Sequence, residues 1–168
     1  YYLIHLETIT NLSFLAKSKG YVALLKLRLS SLVVMSAFFG YLLAGGDLES
    51  IIFLKLIVGG VFITGSSNGF NQIIEAKTDA LMSRTSLRPI PSKILNSFEA
   101  ILFCSFIGFI GLYLLSEINM NSFMLGLLAM VIYTIIYTPL KKITPFAVFI
   151  GAVPGSLPPL LGYIAVTN

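Results

Sequence analysis

Residues 51–74 read IIFLKLIVGGVFITGSSNGFNQII, an apolar run with one charged residue, Lys55. About 20 mostly apolar residues, at 1.5 Å each, are enough for a helix to cross roughly 30 Å of hydrocarbon. The rest of the chain shares this character, since 57% of its 168 residues are hydrophobic and 11% are charged, whereas soluble domains average about a quarter charged residues. The sequence therefore predicts a membrane protein. It argues against a soluble enzyme, a disordered tail and a nucleic-acid-binding module.

Apolar runs of this kind recur along the chain, separated by short polar links. The predicted spans are Leu24–Ala44, Ile51–Ile74, Leu95–Leu115, Phe123–Tyr137 and Phe146–Val166. Continuous apolar runs favour helices over the alternating pattern of a membrane barrel. The predicted fold class is thus all-α, a polytopic transmembrane bundle with about five helices in this sequence.

The positive charges predict the orientation of these helices. Lys and Arg occur before the first span, between the second and third, and after the fourth, whereas the other two links carry only acidic charges, Asp47, Glu49 and Glu117. Because cytoplasmic loops concentrate Lys and Arg, the N-terminus and the loop 75–92 are predicted to be cytoplasmic in the cell inner (plasma) membrane. The same rule explains the net charge of +4 without nucleic acid. Lys55, on the outer side, is expected to snorkel to the headgroups.

The N-terminal residues 1–20 mix apolar and polar side chains and are predicted to form an interfacial segment ahead of a transmembrane domain spanning residues 21–168. A metal or heme site needs several convergent ligands, so the only histidine, His5, is not expected to be one. The single cysteine, Cys104, excludes an internal disulfide. Because the sequence begins with Tyr1 and stops after an apolar run, a fragment of a longer protein is expected.

The segment after the second span carries the candidate chemistry. Asn71, Glu75 and Asp79 are spaced i, i+4, i+8, which places three oxygen-bearing side chains on one face of a helix. Mg²⁺ typically takes one or two protein carboxylates and completes its coordination with water and phosphate oxygens. Asn68 extends this polar face into the membrane, where polar residues usually face a cavity. The spacing thus indicates a candidate magnesium and catalytic site.

Two arginines, Arg84 and Arg88, follow the acidic face, and guanidinium groups bind phosphate oxygens in a bidentate way. The pattern suits a diphosphate held between a metal ion and fixed cations. The alternative is a solvated loop in which Lys77, Arg84 and Arg88 pair with the carboxylates, and the spacing alone leaves both open. Tyr137 and Lys141, at the end of the fourth span, lie on the same side of the membrane and could face the same phosphate.

The fifth span contains three prolines and is predicted to be a kinked cavity wall, with Pro154 and Pro158 lining the cavity. A transporter is a competing hypothesis, because polar residues within spans also line ion paths. It explains Asn68 and the prolines, but it does not explain an acidic helix face followed by two arginines.

In four stretches the sequence resembles the UbiA superfamily of intramembrane prenyltransferases, and within it the branch that farnesylates heme. The resemblance runs from about Tyr21 to the C-terminus. Its motifs are Leu25-Lys26-Leu27-Arg28; Asn71-x₃-Glu75-x₃-Asp79 with Arg84-Thr85-x₂-Arg88-Pro89-x-Pro91; Tyr137-Thr138-Pro139-Leu140-Lys141; and Gly151-Ala152-Val153-Pro154-Gly155-x₂-Pro158-Pro159-x₂-Gly162.

This resemblance implies a bundle of about nine helices and Mg²⁺-dependent transfer of a farnesyl group from farnesyl diphosphate to heme B, giving heme O, for use by a downstream heme A synthase. Quinone or other aromatic or lipid acceptors are the alternative within the family. The resemblance also implies diphosphate-binding roles for several residues: Lys26, Arg28, Arg84, Arg88, Tyr137 and Lys141.

Three departures from the family pattern accompany the resemblance. Leu27 replaces a frequent proline, and Glu75 replaces a frequent aspartate. The family's second acidic motif and its histidines have no counterpart in this sequence. The segment alone is therefore expected to be inactive.

Overall fold

In the computed structural model, the backbone is described for residues 2–168 and the side chains for residues 14–168. The helices are α1 (Tyr2–Leu25), α2 (Leu27–Leu43), α3 (Ile51–Asp79), α4 (Ser97–Ser116), α5 (Met120–Val131), α6 (Thr138–Leu140) and α7 (Ala147–Thr167), and a π-helical turn (Ile132–Tyr137) joins α5 to α6. His5 and most of the predicted interfacial segment lie outside the described side chains.

Five segments are long and apolar enough to cross a membrane, which confirms the predicted number of spans and the all-α class. They are Phe14–Leu43, Ile51–Asp79, Ser97–Ser116, Met120–Leu140 and Ala147–Thr167. Large apolar side chains such as Phe106 and Phe109 are exposed on the outside, whereas Asn68, Asn71 and Gln72 are buried. Apolar groups outside and hydrogen-bonded polar groups inside are the arrangement that a lipid environment favours.

The spanning helices form a closed ring, in which α3 packs on α4 and α2, α7 packs on α2 and α5, and α5 packs on α4. Small residues allow the closest approaches. A Cβ added at Gly162 would meet the backbone oxygen of Ala37, and one added at Gly40 would meet that of Pro159. Helix association in membranes depends on such close van der Waals contact, because lipid is as apolar as the helix surface.

Two helix boundaries differ from the bounds of the predicted apolar spans. α3 continues past Ile74 to Asp79. Glu75, Ala76 and Lys77 favour helix, so the helix extends beyond the end of the apolar run. The first predicted span is interrupted at Lys26, whose φ of 45° and ψ of 54° are left-handed. This interruption, the Lys26 break, separates α1 from α2.

The prolines do not break the fifth span, since α7 is a continuous helix across Pro154, Pro158 and Pro159. A proline removes one backbone donor, but packing of α7 against α2 and α5 fixes the helix on both sides. Membrane helices tolerate proline where neighbouring helices support the backbone.

Charged side chains segregate to the two ends of the ring. Lys55 forms an ion pair with Glu117 (3.5 Å) at the end where the acidic links lie. Glu75, Asp79 and the loop that follows α3 lie at the other end. Lys55 therefore has a protein partner, and its contact with headgroups stays a prediction.

The predicted orientation is tested by cysteine labelling in intact cells. Leu48 and Leu87 are exposed in links at opposite ends, and the native Cys104 is buried. We expect Leu48→Cys to react with a membrane-impermeant maleimide and Leu87→Cys to react only after permeabilisation. Labelling in the reverse pattern would contradict the predicted orientation.

Candidate active site

The C-terminal end of α3 carries the three residues that the sequence singled out. Because α3 is helical through Asp79, Asn71, Glu75 and Asp79 lie one above another on the same face. Asn71 is 2% exposed and Asp79 is 5% exposed. Such burial of a carboxylate requires charged or hydrogen-bonding partners.

Asp79 is paired with an arginine from the following loop. Its Oδ2 lies 2.5 Å from Nη1 of Arg88. The buried Thr85 hydroxyl donates to the backbone oxygen of Asp79 (3.0 Å), which folds the loop back over the end of α3. The loop after α3 thus places the guanidinium group of Arg88 against the acidic face.

Glu75 is paired with a lysine from beyond α6. Its Oε1 lies 2.9 Å from Nζ of Lys141. Oriented to satisfy both of its polar atoms, the Asn71 amide donates to Oε2 of Glu75 (3.0 Å), and its oxygen accepts from Lys141 Nζ (2.9 Å) and lies 3.1 Å from Thr138 Oγ1. Asn71, Glu75, Thr138 and Lys141 therefore form one network between α3 and the end of the fourth span.

The π-helical turn sets the register of that fourth span. The Thr138 hydroxyl lies 2.8 Å from the backbone oxygen of Tyr133, five residues earlier, and donates to it. A π-helical turn holds an extra residue relative to an α-helical one, and such turns occur frequently at functional sites. Here the turn immediately precedes Thr138 and Lys141, the residues that face α3.

Lys26 is the fifth charged residue of this cluster. It is half-buried at the Lys26 break, and the charges of Arg88, Glu75, Lys141 and Asp79 contribute to its electrostatic environment. These five side chains carry three positive and two negative charges. We call Lys26, Glu75, Asp79, Arg88 and Lys141 the charged cluster.

An apolar cavity of about 280 Å³ lies between α2, α3, α5 and α7, and Asn68, Tyr133, Pro154 and Pro158 are among its lining residues. A smaller void of about 50 Å³ shares part of this lining and continues toward Ala37 and Leu161. Asn68 lies one helical turn from Asn71. The cavity therefore begins near the charged cluster and continues into the apolar core.

Two other residues predicted to bind diphosphate lie apart from the charged cluster. Arg28 and Arg84 are exposed, and neither forms an ion pair within the described side chains. Arg28 lines a shallow groove beside Lys26. Tyr137 is half-buried, with Lys141 Nζ 5.4 Å from its ring centroid. Their roles stay predictions.

Sequence reasoning missed Gln72, Ser30 and Thr138 as parts of the site. Gln72 donates to the backbone oxygen of Leu24 (2.9 Å), and Asn68 donates to Ser30 Oγ (3.2 Å). The i, i+4 spacing of Asn68 and Gln72 was a usable signal of a second polar face on α3. Their partners on α1 and α2 are distant in sequence and had no such signal.

The donor set around the acidic face suits Mg²⁺. Among side chains 14–168, no group of three or more His, Cys, Asp and Glu side chains gathers as a metal site. The oxygens on offer are those of Glu75, Asp79 and the Asn71 amide, and two carboxylates are what Mg²⁺ typically takes from a protein when phosphate supplies other ligands. The residues present therefore fit a magnesium ion.

The family model described as "UbiA prenyltransferase family" matches residues 33–168 of the chain. Protoheme IX farnesyltransferase of Cytophaga hutchinsonii is 43% identical over 152 residues, which are 89% of this chain and 53% of that protein. The mitochondrial protoheme IX farnesyltransferase of Arabidopsis thaliana is 39% identical over 155 residues, 90% of this chain and 36% of that protein. The chain thus spans about half the length or less of these curated relatives.

Two solved structures share the fold. A structure of digeranylgeranylglyceryl phosphate synthase has a TM-score of 0.80 and 23% identity, covering 90% of this chain and 54% of that one. A UbiA homolog from Archaeoglobus fulgidus bound to GPP and Mg²⁺ has a TM-score of 0.69 and 20% identity, covering 89% of this chain and 54% of that one.

Proposed function

The chain belongs to the UbiA prenyltransferase family, and on that premise we propose that the protein transfers a farnesyl group from farnesyl diphosphate to heme B, giving heme O. The relatives named protoheme IX farnesyltransferase, at about 40% identity, support this acceptor. The observation that carries the proposal is the position of the charged cluster at the mouth of an apolar cavity. A prenyl diphosphate has the same two parts, an anionic head and an apolar tail.

The cations of the charged cluster bind the diphosphate head in this proposal. Arg88 offers a planar guanidinium group and Lys141 and Lys26 offer ammonium groups, all suited to phosphate oxygens. When the allylic C–O bond breaks, its electron pair leaves with the diphosphate and the allylic carbon bonds to a vinyl group of heme B. Water then adds to the cation left on the vinyl carbon and releases a proton, which gives heme O. Fixed cations stabilise that growing negative charge more strongly than they stabilise the bound substrate, and this difference lowers the barrier.

Asn71, Glu75 and Asp79 would hold Mg²⁺ in the proposed site. When bound, the ion would supply further positive charge to the leaving diphosphate. The ion pairs with Lys141 and Arg88 keep both carboxylates compensated before substrate arrives. This accounts for how two carboxylates at i, i+4 coexist on a half-buried face, since like charges at that spacing otherwise repel.

The cavity wall excludes water from the allylic carbon. The lining is largely apolar, and it includes Val33, Ile63 and Ala129 together with the Tyr133 ring. Water in this place would capture the carbocation and weaken each charge contact. The tail of the substrate would extend toward the smaller void near Leu161.

The experiment that tests the proposal uses the full-length protein, purified in detergent and supplied with farnesyl diphosphate, heme B and Mg²⁺. We expect heme O by chromatography and mass spectrometry, and we expect its loss when EDTA removes the metal. In parallel reactions, a quinone precursor replaces heme B as the acceptor. Prenylation of the quinone precursor alone would contradict the heme assignment, and no prenyl transfer to either acceptor would contradict the proposed activity.

A further inference from the structure

The Lys26 break is an unusual feature of a membrane-embedded helix. Lys26 adopts a left-handed backbone conformation without being glycine, and such conformations persist only where the surroundings fix them. The amides of Leu29 and Ser30 both donate to the backbone oxygen of Lys26 (2.7 and 3.0 Å). These bonds start the hydrogen-bonding pattern of α2, so α2 begins at this residue as a separate helix from α1.

Side chains donate hydrogen bonds to the backbone oxygens just before the break. The oxygen of Leu24 accepts from Gln72 Nε2 (2.9 Å), and that of Leu25 accepts from Ser30 Oγ (2.7 Å). Asn68 in turn donates to Ser30 Oγ (3.2 Å). Leu24 and Ser30 are fully buried, and Asn68 and Gln72 are 2% exposed. In a water-free region these bonds have no solvent competitor.

We call Ser30, Asn68 and Gln72 the brace. Two of its members are on α3, the helix that also carries Asn71, Glu75 and Asp79 on a neighbouring face. The brace therefore ties the backbone of the Lys26 break to the same helix that carries the acidic side chains. Its hydrogen bonds hold the backbone from which the Lys26 side chain extends.

We propose that Gln72 is a positioning residue, which acts through the Lys26 break to hold the Lys26 ammonium group at the diphosphate site. The identity of the ligand, a diphosphate, rests on the proposed function. The effect of Gln72 on the Lys26 break does not depend on that function. Gln72 contacts backbone, and it is Lys26 that contacts the diphosphate head. Loss of the Gln72 donor frees the Leu24 oxygen and lets the start of α2 rotate, which moves Lys26 away from the other members of the charged cluster.

A merely structural role for Gln72 is the competing explanation, and Ser66 provides a matched control. Ser66 is also buried on α3 and also donates to a backbone oxygen of a neighbouring helix, that of Cys104 on α4 (2.8 Å). Ser66→Ala thus removes the same type of interhelical bond at a site that does not touch the Lys26 break. Gln72→Met removes the donor of Gln72 while keeping the length of its side chain.

The first measurement is the KM for farnesyl diphosphate in the full-length protein. We expect Lys26→Met and Gln72→Met each to raise KM by about 10-fold or more, as loss of a charge-assisted contact does, and Ser66→Ala to leave it within about 2-fold. The double variant should be no worse than Lys26→Met alone, because Gln72 acts through Lys26. Multiplying effects, or an unchanged KM in Lys26→Met, would overturn the proposal.

The second measurement does not depend on activity. Leu15 on α1 and Leu32 on α2 are exposed, so nitroxide labels at Leu15→Cys and Leu32→Cys report the angle across the break by pulsed electron paramagnetic resonance. We expect the distance distribution to broaden or shift with Gln72→Met and to stay unchanged with Ser66→Ala. An unchanged distribution with Gln72→Met would overturn the brace, whatever the substrate is. Absence of farnesyl transfer by the unmutated protein together with a shifted distribution would instead refute the proposed function.

Discussion

Replacing Asp79 by Asn in the full-length protein is expected to lower farnesyl transfer by about 10²–10³-fold, the size of effect seen when one group that stabilises transition-state charge is removed. Asp79 is 5% exposed, and it carries a carboxylate beside Arg88 at the mouth of the cavity. The substitution keeps the side-chain volume and one acceptor oxygen for Arg88 but removes the negative charge that a metal ion requires. The measurement is the rate of heme O formation at saturating Mg²⁺.

Asp47→Asn is the matched control for this prediction. Asp47 is exposed in the acidic link at the opposite end of the ring, and there its carboxylate accepts from the backbone nitrogen of Glu49 (3.0 Å). The same chemical change in that link should leave the transfer rate within about 2-fold, as surface substitutions usually do.

A charge exchange separates the two roles that Asp79 can have. If Asp79 serves only as the partner of Arg88, the double variant Asp79→Arg with Arg88→Asp restores the pair and the activity. If Asp79 binds metal and Arg88 binds phosphate, the exchanged pair stays inactive, and we expect this second result. Normal turnover in Asp79→Asn would contradict the magnesium role and would indicate that the carboxylates serve only as ion-pair partners.

The second large effect concerns folding. Substituting Gly162 by Ala is expected to destabilise the protein by about 1–3 kcal/mol, the usual cost of forcing an extra methyl group into a packed contact. A Cβ there would meet the backbone oxygen of Ala37 and lie 2.8 Å from the backbone nitrogen of Tyr41. Both atoms belong to the backbone of α2, so no side chain can rotate away and the helices must separate.

Gly155 supplies the control on the same helix, because an added Cβ finds nothing within 4 Å. Gly155→Ala should leave stability unchanged or raise it slightly, since alanine favours helix over glycine by about 1 kcal/mol. Thermal unfolding in detergent, followed by circular dichroism and by accessibility of the buried Cys104, measures both variants. Equal stability of the two would contradict the close packing of α2 on α7.

The sequence by itself determined the class of protein, the number of spans and the residues of the acidic face. These properties are local. Insertion into a membrane depends on the summed hydropathy of one run of residues, and the alignment of Asn71, Glu75 and Asp79 depends only on the helical period. The i, i+4, i+8 pattern therefore identified the face before its partners were known.

The tertiary structure alone decided which cations meet that face. Lys141 and Arg88 follow Glu75 and Asp79 by different separations, and the position of each depends on how a turn is folded: the π-helical turn before Thr138 in one case, the loop held by Thr85 in the other. The left-handed conformation of Lys26 likewise has no local signal, because a lysine does not favour it. It is stabilised by Gln72 and by Ser30, which Asn68 contacts.

The physical reason for this division is the range of the interactions. Hydropathy and helical period are set by neighbours along the chain, whereas ion pairs, the packing of Gly162 on α2 and the brace join residues on different helices. Their energies depend on distances of a few ångströms that exist only after the helices have packed. In a membrane, where hydrophobicity does not draw helices together, those short-range contacts determine the arrangement of the bundle and with it the position of each charge in the site.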